Sequence, residues 1–145
     1  MRAQDVMVRN PQTVSAETTV WTALAVMGQR DIRHLPVTDG GGTLQGILSN
    51  RDFRRVLDFL DPEGRIRHVQ ELRVSDIMTK TPEIITAHPE TPLVNIAQLM
   101  VLRKVGAVPI VDAQHRVIGI LTQKDVMREL VRQLAPPPLD PGRPA

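Results

Sequence analysis

With 145 residues, a formal charge of only +2 and no cysteine, the chain can build one reasonable core or two small ones in contact, and it excludes disulfide frameworks, thiolate chemistry and cysteine-bearing zinc sites. Its longest apolar runs, such as Val108 to Val111, are far shorter than the roughly 20 residues a bilayer requires, and Met1 to Asp5 lacks the apolar centre of a signal peptide, so a soluble cytoplasmic protein without membrane contact is expected. Basic residues are interleaved with acids, as in Arg51-Asp52-Phe53-Arg54-Arg55, and the only aromatics are Trp21, Phe53 and Phe59, which argues against a nucleic-acid stripe or a base-stacking platform.

The first recognisable piece is Asp5-Val6-Met7, followed by a helix-breaking Pro11 and a short extended segment, Gln12-Thr13-Val14. Thr18 or Thr19 supplies an N-cap for a helix that carries Val20, Ala23, Leu24 and Met27 along one stripe, with Trp21 as a packed anchor or a subunit contact. Leu35 to Val37 and Leu44 to Leu48, separated by Asp39-Gly40-Gly41-Gly42, predict a hairpin whose loop exceeds two residues, with Asp39 forming the turn. A second helix starts at Asn50 or Asp52, shows Phe53, Val56, Leu57 and Leu60 on one face, and stops at Pro62 and Gly64. Residues 61–73 form a connection, with room for another turn or two between Arg65 and Leu72.

The same order then returns. Asp76-Ile77-Met78 repeats the opening, Pro82 precedes the extended Glu83-Ile84-Ile85, and Thr91-Pro92 starts a helix with Leu93, Ile96, Ala97 and Met100 on its stripe. Val108 to Val111 and Val117 to Leu121 flank Asp112-Ala113-Gln114, and the closing helix carries Val126, Met127, Leu130, Val131 and Leu134. The repeat offset is 71 residues at the start (Asp5 to Asp76, Pro11 to Pro82) and 73 later (Met27 to Met100, Pro36 to Pro109), which implies a two-residue insertion, placed near His88-Pro89. Met7, Met27, Met78, Met100 and Met127 fall at core periodicities. The expectation is an α+β protein of two β-α-β-β-α modules, residues 1–60 and 74–134, packed as a pseudo-twofold pair with equivalent clefts. The proline-rich residues 135–145 read as a disordered tail.

The most chemically loaded segment is the Gly-h-h-Ser/Thr-x-Arg/Lys-Asp run, Gly46 to Asp52 and Gly119 to Asp125, where h is apolar. It lies where a strand ends and a helix begins, so unsatisfied N–H groups and the helix dipole favour an anion there. Ser49 or Thr122 can hydrogen-bond a phosphate, Arg51 or Lys124 can offset its charge, Asp52 or Asp125 can accept from a ribose diol, and Gly46 or Gly119 can let a ligand approach the backbone. The same residues also serve as caps: the hydroxyls and carboxylates close the helix starts and the glycines fit strand packing. Both readings stand on the sequence alone.

In these paired motifs (Asp-h-Met, h-Pro-h-h-Asp and Gly-h-h-Ser/Thr-x-x-Asp, each twice and in order) the chain resembles a tandem pair of cystathionine β-synthase (CBS) domains over about Gln4 to Leu134. The resemblance implies two clefts that take adenosine-containing ligands (AMP, ADP, ATP, S-adenosylmethionine or NAD), no required cofactor, and regulation of a partner protein. Carried onto this sequence, Asp52 and Asp125 match the ribose-binding aspartate. Ser49, Arg51, Thr122 and Lys124, together with Arg33 and His34, match positions near phosphate. Thr13, Val14, Leu35 and Pro36, and Ile84, Ile85, Val108 and Pro109, match the adenine walls. At the positions of Arg33 and His34 the second copy has Gly106 and Ala107, so its cleft lacks those cations unless Arg103 or Lys104 reaches in.

His34, His68, His88 and His115 have no metal-ligand spacing. There is no Gly-x-Ser-x-Gly, phosphate-binding Gly-x-x-x-x-Gly-Lys-Ser/Thr or dinucleotide Gly-x-Gly-x-x-Gly, so neither a metal site nor enzymatic activity is expected. The leading reading is a stand-alone ligand-sensing module, homodimeric because its helices carry more apolar residues than one module covers. The alternatives are a dimerisation or interaction module with empty clefts, and a nucleic-acid-binding module using arginines on the helix faces.

Overall fold

The computed structural model describes residues 1–65, 69–81, 83–137 and 142. Most of the expected tail, residues 66–68 of the connection and Pro82 lie outside the described residues, and His68 with them. Helices are α1 (Ala3–Val6), α2 (Val20–Arg30), α3 (Val74–Ile77), α4 (Leu93–Arg103) and α5 (Gln123–Leu134); strands are β1 (Val8–Arg9), β2 (His34–Thr38), β3 (Leu44–Ser49), β4 (Thr79–Lys80), β5 (Ala107–Val111) and β6 (Val117–Thr122). Two 3₁₀ helices, Asn50–Phe59 and Val69–Glu71, complete the described elements.

Each hairpin forms where the turn chemistry predicts it. The Oδ1 of Asp39 accepts from the N–H groups of Gly41 and Thr43, and the Oδ1 of Asp112 from those of Gln114 and Arg116, all at 2.9 Å. Thr19 caps α2 by accepting from the Thr22 N–H, whereas α4 starts one residue later than its counterpart threonine suggests, with Pro92 at the N-cap and Thr91 Oγ1 accepting from His88.

The opening segments change places. Strand β1 of the first copy pairs with β6 of the second, and β4 of the second pairs with β3 of the first, giving sheets ordered β1-β6-β5 and β2-β3-β4. The cores follow the exchange. Val74, Ile77 and Met78 bury against Val20, Met27, Leu35 and Leu48, while Ala3 and Met7 bury against Ile96, Met100, Val108 and Leu121. A cut between residues 60 and 74 therefore separates the sequence repeats but not the packed bodies.

This exchange decides between the two readings of the motif glycines in favour of packing. A Cβ on Gly46 would lie 2.4 Å from Met78 Sδ, and one on Gly119 would lie 2.5 Å from Met7 Sδ. Each glycine leaves room for the methionine of the opposite copy's opening and not for a ligand. Asp-h-Met and Gly-h-h-Ser/Thr are thus two halves of one contact made across the repeat.

The insertion also moves. Val14 bridges β2 at Val37 and Ala87 bridges β5 at Ile110, both in parallel, so the offset is already 73 there. Val74 N–H donates to Thr18 O while Ala3 N–H donates to Thr91 O, which fixes the same register. The extra two residues lie between positions 82 and 86, in a turn in which Glu83 N–H donates to Lys80 O, and not at His88-Pro89. The structural equivalents of Thr13-Val14 are consequently Thr86-Ala87 and not Ile84-Ile85. The extended pieces reduce to these single bridging residues.

The first closing helix is 3₁₀ throughout, Met127, expected in the core, is exposed, and Trp21 at 70% exposure is not the packed anchor that is one of its two readings. Among the described residues nothing covers the faces that carry Trp21 and Met127.

Candidate functional site

One cavity of about 1350 Å³ runs between the two copies and is lined by both strand-to-helix turns. Its size exceeds the roughly 300–1,000 Å³ of an ordinary small-molecule pocket. Among the predicted residues, Arg33, His34, Ser49, Arg51 and Asp52 line it from the first copy, and Ile84, Ile85, Thr122, Lys124 and Asp125 from the second. Local geometry brings them together: His34 stands opposite Ser49 in the hairpin, and Asn50 N–H donates to Arg33 O at 3.0 Å, so the cations at the start of β2 meet the turn at the end of β3. Gln123 N–H repeats this bond to Gly106 O.

Thr13, Val14, Leu35, Pro36, Val108 and Pro109 do not line the cavity. Leu35 and Val108 have no exposed surface, and both prolines are fully buried beside them. Their strands are buried on both faces, so alternation does not separate a cavity wall from a core wall.

The carboxylates have a divided role. Asp52 Oδ2 accepts from Ser49 N–H at 2.7 Å and Asp125 Oδ2 from Thr122 N–H at 2.9 Å, so one oxygen of each closes the helix start. Thr122 Oγ1 also donates to Asp125 Oδ2 and accepts from Asp125 N–H. The other oxygen, Oδ1, is 3.9 Å from Arg55 in the first copy and 3.9 Å from Arg128 in the second. The carboxylate half of the capping reading is thus realised at both turns and the hydroxyl half only at Thr122, and Oδ1 of each aspartate is left for a further acceptor role.

The cavity carries Arg30, Arg33, Arg51, Arg54, Lys104, Lys124 and Arg128 against Asp31, Asp52, Glu83 and Asp125, a cationic excess suited to an anionic group. Sequence reasoning missed Arg30, Arg54 and Arg128, of which only Arg54 lies in a segment read as a solvated face; only their spacing from the turn residues could have placed them here. Of the two cations considered for the second copy, Lys104 reaches the cavity and Arg103 does not. Lys104 ends α4 in a left-handed conformation with φ 55°, matching Asp31 at φ 51°. His34 does not behave as a standing cation: burial pushes its imidazole below the ordinary value, Asp52 opposes this, and Arg33 and Arg51 add to it. Among the described residues no cluster of His, Asp and Glu is placed to hold a metal ion, and no helix is long and apolar enough to cross a membrane.

The exchanged sheets, the repeated turns and the shared cavity define a tandem α+β pair. The CBS domain family model matches residues 3–58 and 74–132, and the chain belongs to the CBS domain family. It is 35% identical over 140 residues to a CBS domain-containing protein of Dictyostelium discoideum, covering 93% of this chain and 94% of that protein. It is 32% identical over 127 residues to inosine-5'-monophosphate dehydrogenase of Methanocaldococcus jannaschii, covering 88% of this chain but only 23% of that enzyme. Among solved structures, the CBS domain pair of protein MJ0100 in complex with 5'-methylthioadenosine and S-adenosyl-L-methionine superposes with a TM-score of 0.78 at 27% identity, covering 92% of this chain and 98% of that one. CBSX2 in complex with AMP gives a TM-score of 0.78 at 30% identity, with 91% and 97% covered; CBSX2 is a protein of Arabidopsis thaliana.

Proposed function

We propose that the chain is a regulatory module that binds an adenosine-containing ligand, such as AMP, ADP, ATP, S-adenosylmethionine or NAD, in the inter-copy cavity without turning it over, and signals occupancy to a partner protein in the cytoplasm. The observation that carries this reading is the duplicated turn. At both ends of one cationic cavity a hydroxyl, a cation and a half-occupied carboxylate stand in the same order, as a phosphorylated ribose requires. The adenosine ligands held by two similar CBS pairs support the choice of ligand class. Signalling requires that the ligand bind two states of the pair unequally, since equal affinity shifts nothing.

A thermal-shift panel of these five ligands is the first test. A ligand present at about 100 times its Kd stabilises the folded state by about 2.7 kcal/mol, so a midpoint that none of them moves would reject the reading. The module acts as a homodimer in this reading, supported by the apolar helix faces: Val101 and Leu102 on α4 and Leu134 on α5 are each at least 75% exposed. Sedimentation equilibrium should give twice the chain mass for the wild type and the chain mass for Leu102→Glu; a monomeric wild type removes the dimer.

A further inference from the structure

The two ends of the cavity differ at the positions of Arg33 and His34, whose counterparts are Gly106 and Ala107. In sequence this looks like a simple loss of side chains from the second copy. The structure fills the gap from the other side. A Cβ on Gly106 would lie 3.0 Å from Nε2 and 3.3 Å from Cε1 of His34, so the imidazole of the first copy occupies the volume a side chain at position 106 would take. His34 and Gly106 both line the cavity, together with Thr122, Lys124 and Asp125. The first copy presents Arg33 at this place and the second presents an imidazole borrowed across the repeat.

We propose that His34 is a specificity-determining residue of the Asp125 end of the cavity, where it distinguishes phosphorylated from unphosphorylated adenosine ligands. This rests on the nucleotide reading above and adds the residue that selects for phosphate. The charges that act on the ring are Asp52, Arg33 and Arg51; Arg30, Asp31 and Arg54 of the first copy and Glu83, Lys104, Lys124, Asp125 and Arg128 of the second line the same cavity. Burial, Arg33 and Arg51 favour the neutral ring, and Asp52 opposes them. A phosphate dianion reverses that balance, so its arrival draws a proton onto His34. Adenosine brings no charge and draws none. The cationic form exists where the phosphate is, which makes the ring selective where a permanent cation would attract any anion.

The test is calorimetry on the full chain with ADP and adenosine at pH 7, in two buffers of different ionisation enthalpy. Asp52→Ala weakens the first end and reports on the second; Asp125→Ala does the opposite. In the Asp52→Ala chain, adding His34→Ala should lower ADP affinity by about tenfold, as loss of a charge-assisted hydrogen bond does, leave adenosine affinity unchanged, and abolish proton uptake on ADP binding. His34→Gln, which keeps a donor, should recover part of the affinity but none of the proton uptake. Gly106→Ala pushes a methyl group into the ring and should weaken ADP at this end only while His34 is present. An ADP loss confined to the Asp125→Ala chain would return His34 to its own copy and overturn the proposal, as would an equal loss of adenosine affinity. If Asp52→Ala and Asp125→Ala, separately and together, leave wild-type ADP affinity intact, the nucleotide reading itself fails and takes this proposal with it. If ADP binding tracks the two aspartates but not His34, only the proposal fails.

Discussion

Replacing Gly46 by alanine should be among the most damaging single-methyl changes in this chain, and more damaging than the same change at Gly119. At Gly46 the new Cβ meets Met78 Sδ at 2.4 Å, Met78 Cγ at 3.1 Å and the Thr79 carbonyl oxygen at 2.9 Å; at Gly119 it meets Met7 Sδ at 2.5 Å, Met7 Cγ at 3.1 Å and the Val8 carbonyl oxygen at 3.2 Å. Non-bonded carbons sit comfortably at about 3.5–4.0 Å, so either methionine must retreat by about an ångström from a buried position. A thioether side chain can rotate away, but the Thr79 carbonyl cannot, because β4 is held in register against β3 through Gly46↔Lys80 and Ile47↔Thr79. Overpacking of this kind costs roughly 1–3 kcal/mol, so Gly46→Ala belongs near 3 and Gly119→Ala near 1.5. For a chain of this size that is a drop of roughly 3 °C in Tm per kcal/mol. Urea unfolding followed by circular dichroism at one protein concentration, with ligand absent, measures both. Met7→Ala should partly rescue Gly119→Ala, giving a coupling of about 1 kcal/mol, whereas Met78→Ala should rescue Gly46→Ala less because the carbonyl conflict stays. Equal midpoints for wild type and Gly46→Ala, or strict additivity in both double mutants, would refute the cross-copy contact.

Asp52→Ala should lower both ligand affinity and the urea midpoint, the latter by about 1 kcal/mol for the lost cap, while Asp52→Asn keeps an acceptor for Ser49 N–H and should lower affinity alone; unchanged affinity in Asp52→Asn would remove the charged ribose contact. Lys104→Gly relieves a left-handed residue and should raise stability by about 0.5–1 kcal/mol after the extra chain entropy of glycine is subtracted, yet weaken ADP binding at the second end; a gain in both would take Lys104 out of the site. Because His34 in the folded chain lies below its unfolded value, the unfolded state binds more protons, so apo stability should fall as pH drops through about 6.5, and His34→Gln should flatten that profile. With ADP bound the sign reverses, and affinity should rise between about pH 8 and 6; a flat titration would leave Arg33 as the phosphate cation.

What the sequence could disclose divides along a physical line. Hairpins and turns are local, so Asp39 and Asp112 are legible as turn residues, and the order hydroxyl, cation, carboxylate along a strand-to-helix turn marks Ser49 to Asp52 and Thr122 to Asp125, which both line the cavity. Burial was legible, but its partner was not. Met7 and Met78 read as core residues by period, yet two near-identical copies offer each of them two equally suitable cores, and only tertiary pairing chooses the opposite one. The insertion was misplaced for the same reason, since Val14 against Val37 and Ala87 against Ile110 is a register no local pattern encodes. Leu35 and Val108 come to the adenine walls through the resemblance alone, and a doubly buried strand carries no alternation that could say which face is which. Met127 keeps the core period on a face that no described residue covers.

The contacts invisible in the sequence share one property: Met7 with Gly119, Met78 with Gly46 and His34 with Gly106 all cross the repeat. The first two hold the exchanged openings, and the third stands in the cavity. The openings are also tied to the turns, since Arg55 Nη1, one helical turn beyond Asp52, donates to the carbonyls of Ile77 at 3.0 Å and Met78 at 3.3 Å. A change at the carboxylate thus has a short covalent and hydrogen-bonded route to the strand β4 of the other copy. The corresponding Arg128 lies between the main cavity and a smaller one of about 200 Å³ beside Asp5 and Val6. The two routes are therefore unequal: Arg55 holds the opening of the other copy directly, whereas Arg128 borders a second cavity.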